Sequence, residues 1–147
     1  MRIVLFEDSG SALHSEGWLQ DDGHDVWRTM DFRDVMSWVE FNPGIATFDV
    51  WIFDLKVDAI TLKRAEDTEP YDEGKHHSPS LYFIDHYLLK KCVTIKEKII
   101  LFSAYFSQYD RSGWDLGNYI RVDKHSQQVV DDLRVAVDLI RSGRNEK

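Results

Sequence analysis

Short apolar runs that stop on a reactive polar side chain are the feature that most constrains this chain. Asp49 to Lys56 reads DVWIFDLK, in which Val50, Trp51, Ile52 and Phe53 run straight into the carboxylate of Asp54. A strand covered on both faces reads as a continuous apolar run of about four to eight residues, so the charge marks its end. The pattern recurs. Arg2 to Phe6 (RIVLF) ends in Glu7 and Asp8, Lys98 to Phe102 (KIILF) in Ser103-Ala104, and Tyr119 to Val122 (YIRV) in Asp123-Lys124. In an open α/β sheet, ligands bind outside the carboxyl ends of the strands, so these side chains are predicted to share one crevice.

Helical periodicity fills the intervals. Ser9 to Asp22 carries Leu13, Trp18 and Leu19 and stops at Gly23; Asp25 to Met30 reads as a strand; Phe32 to Phe41 carries Val35, Met36 and Val39 and stops at Asn42-Pro43-Gly44. Residues 105 to 117 leave room for a short fourth helix, interrupted by glycines. The fifth and last starts from a cap at Ser126, carries Val130, Leu133, Val137 and Ile140, and ends at Gly143. Alternating strands and helices imply right-handed crossovers, hence an α/β fold with a doubly wound, five-stranded parallel sheet and helices on both faces.

One interval is too long. Two short loops and a helix need roughly 20 to 30 residues, and the stretch from Asp54 to Ser103 far exceeds that. An insertion is placed at about 58–78, in which the charged RAEDTEPYDEGKHH at 64–77 is expected to be a mobile surface loop. Ser78 and Pro79 then read as N-cap and first residue of a helix whose Leu81, Ile84, Leu88 and Cys92 share a face. On that face Cys92 is expected to be an inert core thiol.

With 147 residues, 43% hydrophobic and 13% aromatic, the chain is predicted to be one domain, 1–147. The 26 acidic against 18 basic residues, a formal charge of -8, argue against direct nucleic-acid binding through counterion release. MRIVLFED is unlike a signal peptide, and no apolar run approaches the roughly 20 residues of a membrane span. A cytoplasmic protein with no membrane contact is expected. His76-His77 with Asp72 and Glu73 is a solvated loop in preference to a metal site, because adjacent histidines in extended chain point apart.

The polar groups at the strand ends have a chemical logic. Mg²⁺ takes hard oxygen ligands, usually one or two carboxylates with waters and phosphate oxygens. Asp8 and Asp54 could supply these with Glu7 in support, a carboxylate can attack phosphorus, and a lysine and a serine hydroxyl can neutralise the incoming phosphoryl group.

Here the sequence resembles the receiver domain of two-component response regulators over nearly its whole length. FED at 6–8 is similar to the family's acidic pair, IFDL at 52–55 to its phosphoacceptor strand, FSA at 102–104 to its Ser/Thr-Ala step and VDK at 122–124 to its lysine. The resemblance implies a flavodoxin-like sheet of order 2-1-3-4-5. It implies phosphorylation of Asp54 by a histidine kinase or phosphotransfer protein, and Mg²⁺ on Glu7, Asp8, Asp54 and the Lys56 carbonyl. Ser103 and Lys124 would contact the phosphoryl group. The chain departs from the pattern at Asp58, where the family often has proline, at His125, where proline is common, and at Arg121, where the switch aromatic is expected.

The expected function is a stand-alone receiver with no output domain, since the chain ends soon after its last helix. It would signal through a downstream protein partner, with a possible homodimer through the face of its fourth and fifth helices. It would not be an enzyme beyond self-phosphorylation and self-dephosphorylation on Asp54. The alternative is a phosphorylation-independent pseudo-receiver that binds a partner. An aspartate-nucleophile phosphatase ranks last, because DLKVD lacks the DxD arrangement of the haloacid-dehalogenase-like family.

Overall fold

The four apolar runs and the stretch from Asp25 become five parallel strands. The computed structural model describes residues 1–7, 12–41, 44–55, 78–104, 106 and 119–143. Strands β1 (Arg2–Phe6), β2 (Asp25–Thr29), β3 (Val50–Phe53), β4 (Ile99–Ser103) and β5 (Ile120–Asp123) form one sheet in the order β2-β1-β3-β4-β5. Every neighbouring pair is parallel, with Phe6 opposite Thr29 and Phe53, and Ser103 opposite Asp123. The carboxyl ends of the strands therefore lie along one edge. This is the flavodoxin-like order implied by the resemblance.

Period-two alternation sends successive side chains of each strand to opposite faces, where two cores form. Val4, Phe6, Trp51, Phe53, Ile99 and Leu101 pack with α2 (Phe32–Glu40) and with the helical run that follows Ser78. Ile3, Leu5, Val50, Ile52, Ile100, Phe102 and Val122 pack with α1 (Ala12–Asp21) and α4 (Val129–Arg141). Aromatic rings dominate the first layer: Phe6 stacks on Phe32 at 4.1 Å between centroids, and Phe32 meets Phe83 at 4.6 Å. Ring pairs of this kind add to the burial of their area.

Helix ends follow local chemistry. Asp31 caps α2, its Oδ1 accepting the amide of Arg33 at 2.9 Å. Gly23 and Gly143 follow α1 and α4 with φ of 89° and 74°, the left-handed conformation in which glycine carries no Cβ penalty. Ser126 does not cap α4 directly. Its Oγ accepts the Gln128 amide at 3.1 Å and donates to Asp132 at 2.9 Å, so a turn of chain intervenes before the helix begins at Val129.

The run after Ser78, together α3, is not one uniform helix. Pro79–Phe83 is α-helical, Ile84–Leu88 has the wider π form, and Leu89–Lys91 is α-helical again. The π turn inserts one residue, which rotates everything after it by about 100° relative to the preceding stripe. Leu81, Ile84 and Leu88 stay buried, but Cys92 ends the run in extended conformation and only half-buried. Cys92 is therefore not a core thiol. Its Sγ lies 3.2 Å from the Thr94 hydroxyl, which draws its pKa below the usual thiol value.

Several expectations lie outside the described residues: Asp8, the side chain of Leu13, Asn42-Pro43, Lys56, residues 58–77 with His76-His77, and the fourth helix apart from Phe106. Among the described residues, no helix is long and apolar enough to cross a membrane.

Candidate functional site

Glu7 and Asp54 follow directly on β1 and β3, the central neighbours of the sheet, and the backbone keeps both in register beyond the strands. The Glu7 amide donates to Thr29 O at 3.2 Å and the Asp54 amide to Phe6 O at 2.9 Å. The two carboxylates therefore emerge side by side. Both are removed from water, Glu7 completely and Asp54 to 5% exposure.

Charge at such depth needs a partner, and Lys124 supplies it. Its Nζ lies 2.6 Å from Glu7 Oε2 and 2.8 Å from Asp54 Oδ2, one ammonium between two carboxylates. Burial draws the lysine pKa down, but the charge of Asp54 and the hydrogen bonds to Asp54 and Glu7 outweigh it and hold Lys124 above its ordinary value. The ammonium also stands over the Phe102 ring, 5.1 Å from its centroid.

Ser103 closes β4 at the same edge and is fully buried. Its carbonyl accepts the Lys124 amide at 3.1 Å, which carries the chain beyond β5 over the end of β4. The structure thus brings Glu7, Asp54 and Lys124 into direct contact, with Ser103 at the same edge of the sheet. Asp8 and Lys56, the other two residues expected there, fall outside the described residues.

A divalent cation fits the donor chemistry. Glu7 and Asp54 present hard oxygens and already share one cation, the Lys124 ammonium. Among the described residues no group of three His, Cys, Asp or Glu could hold a metal, so Asp8 and the Lys56 carbonyl would have to complete the set.

Sequence reasoning missed two participants. Ser80 Oγ donates to the Asp54 carbonyl at 2.5 Å, and Ser78 Oγ donates to the Leu55 carbonyl at 2.6 Å; both serines are fully buried. The sequence marks Ser78 only as a helix cap, and nothing local to it shows that the hydroxyls reach back to β3. At the position of the expected switch aromatic, the Arg121 guanidinium lies over the Phe106 ring, 5.6 Å from its centroid.

No protein-family model matches the sequence, and no curated protein matches it. Solved structures do match. The non-phosphorylated HemR receiver domain from Leptospira biflexa has a TM-score of 0.59 at 17% identity, over 96% of this chain and 94% of that one. A response regulator receiver domain protein from Clostridium thermocellum has a TM-score of 0.58 at 14% identity, over 98% and 96%. The receiver domain of the sensor histidine kinase PA1611 from Pseudomonas aeruginosa, with magnesium coordinated in its active-site cleft, has a TM-score of 0.54 at 17% identity, over 95% and 97%. At these identities the likeness is one of fold, and the fold is that of response-regulator receiver domains.

Proposed function

We propose that this chain, which has the receiver-domain fold, is a phospho-receiver in which Asp54 is the phosphoacceptor. The observation that carries the reading is the Lys124 ammonium held at 2.6 and 2.8 Å between Glu7 and Asp54, at the carboxyl edge of the sheet. A lone strand-terminal aspartate is usually a cap. A buried one, beside a second carboxylate and bridged by a lysine from β5, is equipped for phosphoryl transfer by positioning and electrostatics.

An Asp54 carboxylate oxygen attacks the phosphorus of a phosphohistidine on a histidine kinase or phosphotransfer protein. The O–P bond forms as the N–P bond breaks, and the imidazole leaves. The Lys124 ammonium then turns from the Asp54 carboxylate to the phosphoryl oxygens, and Ser103 donates to another of them. Glu7, Asp8, Asp54 and the Lys56 carbonyl would hold Mg²⁺, which when bound neutralises charge on the phosphoryl oxygens. The catalysis is confined to self-phosphorylation and self-dephosphorylation. The output is a protein partner in the cytoplasm.

Arg121 favours a second reading. An arginine paired with Phe106 is not the aromatic that reports the phosphorylated state in the family the chain resembles, so a pseudo-receiver that binds its partner without phosphorylation is the alternative. Intact-protein mass spectrometry with acetyl phosphate and Mg²⁺ separates the two. A single phosphate adduct, absent from Asp54→Asn, is expected. No adduct in the wild type moves the reading to the pseudo-receiver, and one that persists in the variant overturns Asp54 as the phosphoacceptor.

A further inference from the structure

Asp54 is held from both sides of its Cα. On the amino side its amide donates to Phe6 O at 2.9 Å, the last contact inherited from the β1–β3 ladder. On the carboxyl side its carbonyl accepts Ser80 Oγ at 2.5 Å, and the next carbonyl, Leu55 O, accepts Ser78 Oγ at 2.6 Å. These hydroxyls stand 26 and 23 residues further along the chain, beyond the stretch 56–77. Ser78 is itself held, since its Oγ accepts the Leu81 amide at 3.3 Å as the cap of α3, and Pro79 between the serines fixes φ in the first turn.

We propose that Ser80 is a positioning residue of the phosphoacceptor: with Ser78 it staples the first turn of α3 to the carbonyls at the end of β3, and so fixes the direction in which the Asp54 carboxylate leaves the backbone. The proposal rests on the reading of Asp54 as phosphoacceptor. Side-chain direction is set by the two peptide planes that meet at Cα. The amino-side plane is fixed by the sheet, and Ser80, from outside the sheet, holds the carboxyl-side plane through its carbonyl. A carboxylate that must meet phosphorus in line loses reactivity steeply when that plane is free to turn. Ser78 acts one peptide further on and also caps the helix, so its removal weakens the helix more and the aim of Asp54 less.

Ser80→Ala, Ser80→Cys and Ser78→Ala in the full chain test this, each measured for melting temperature and for the rate of phosphate uptake from acetyl phosphate with Mg²⁺. The expected result is uptake at least tenfold slower in Ser80→Ala, partial recovery in Ser80→Cys, which keeps a weak donor, and a loss under threefold in Ser78→Ala despite an equal or larger drop in melting temperature. Uptake in Ser80→Ala within twofold of wild type, or rates that simply follow melting temperature across the three, would overturn the proposal. A second readout needs no phosphate: the ¹³C resonance of the Asp54 carboxyl, single in the wild type and expected to broaden or split in Ser80→Ala. If the wild type takes up no phosphate, the phosphoacceptor reading falls on its own, and an Asp54 resonance unchanged by the substitution overturns the positioning role separately. Should Ser80→Ala fail to fold, Ser80→Cys carries both measurements.

Discussion

Replacing Lys124 by methionine removes the ammonium and keeps most of the stem, leaving two buried carboxylates facing each other. Breaking a buried ion pair by removing one partner costs about 3–5 kcal/mol, because the charge left behind has lost both water and partner. Glu7 is fully buried and the Asp54 side chain 7% exposed, which argues for the whole range; Lys124 is 16% exposed, so water can follow it into the gap, which argues for the lower end. We expect a loss of about 3 kcal/mol. For a domain of this size that is a drop in melting temperature of roughly 6–12 °C. Urea unfolding at pH 7.5 and fixed ionic strength measures it.

Two further arms identify the cause. Adding Glu7→Gln to Lys124→Met removes one of the opposed charges and should restore roughly 1 kcal/mol or more, a coupling that a double-mutant cycle isolates. Mg²⁺ should stabilise Lys124→Met more than wild type, because the ammonium no longer competes for the same oxygens; tenfold above its Kd the metal contributes about 1.4 kcal/mol. A variant within about 0.5 kcal/mol of wild type would refute the idea that the lysine neutralises a buried pair, since that is the range of ordinary surface substitutions. Equal Mg²⁺ responses would remove Glu7 and Asp54 from the metal site.

Asp31→Ala should cost about 1 kcal/mol, read from the urea midpoint, through loss of the cap on the Arg33 amide; the exposed Arg33–Asp31 pair should add little. His24 predicts a pH effect at the opposite edge of the sheet. It is 8% exposed, and its Nδ1 accepts the Met1 amine at 3.1 Å. Burial, that amine and Arg141 lower its pKa below 6.5 against the opposing pull of Asp22 and Asp138. The unfolded chain therefore binds the proton more readily, so this contribution to stability is complete above pH 6.5 and declines as the pH falls through that value towards the lower folded pKa. The difference between wild type and His24→Gln should change between pH 7.5 and 5; a pH-independent difference would contradict the assignment.

The strand ends were legible because burial on both faces forces an apolar run and chemistry forces it to stop. Glu7, Asp54, Ser103 and Lys124 could each be named from that alternation, and the parallel sheet follows from the alternation of strands with helices. What stayed hidden depends on partners distant in sequence. Glu7 reads as a supporting acid beside Asp8, yet it is the fully buried partner of Lys124, which only the closeness of β1 and β3 to the lysine reveals. The helical run ends at Lys91 and Cys92 is extended, so the spacing of Leu81, Ile84 and Leu88 stops one step short of Cys92, an end that nothing local in LLKKC marks. Ser80 looked like a second residue of a helix start, and its reach to Asp54 O exists only because α3 docks on the end of β3.

The order of the strands also explains why the cation is a lysine. Neighbouring strands lie about 4.8 Å apart, and β5 is two strands from β3 and three from β1. A side chain from β5 has to cross the whole end of β4 before it meets either carboxylate. The Lys124 amide bonded to Ser103 O starts that crossing by laying the backbone over β4, and the four-carbon stem completes it, passing above Phe102 to bring Nζ within 2.8 Å of Asp54 and 2.6 Å of Glu7. The reach required across β4 is thus set by strand order, and a long unbranched stem ending in a compact ammonium meets it where a shorter cationic side chain would stop short of both acids.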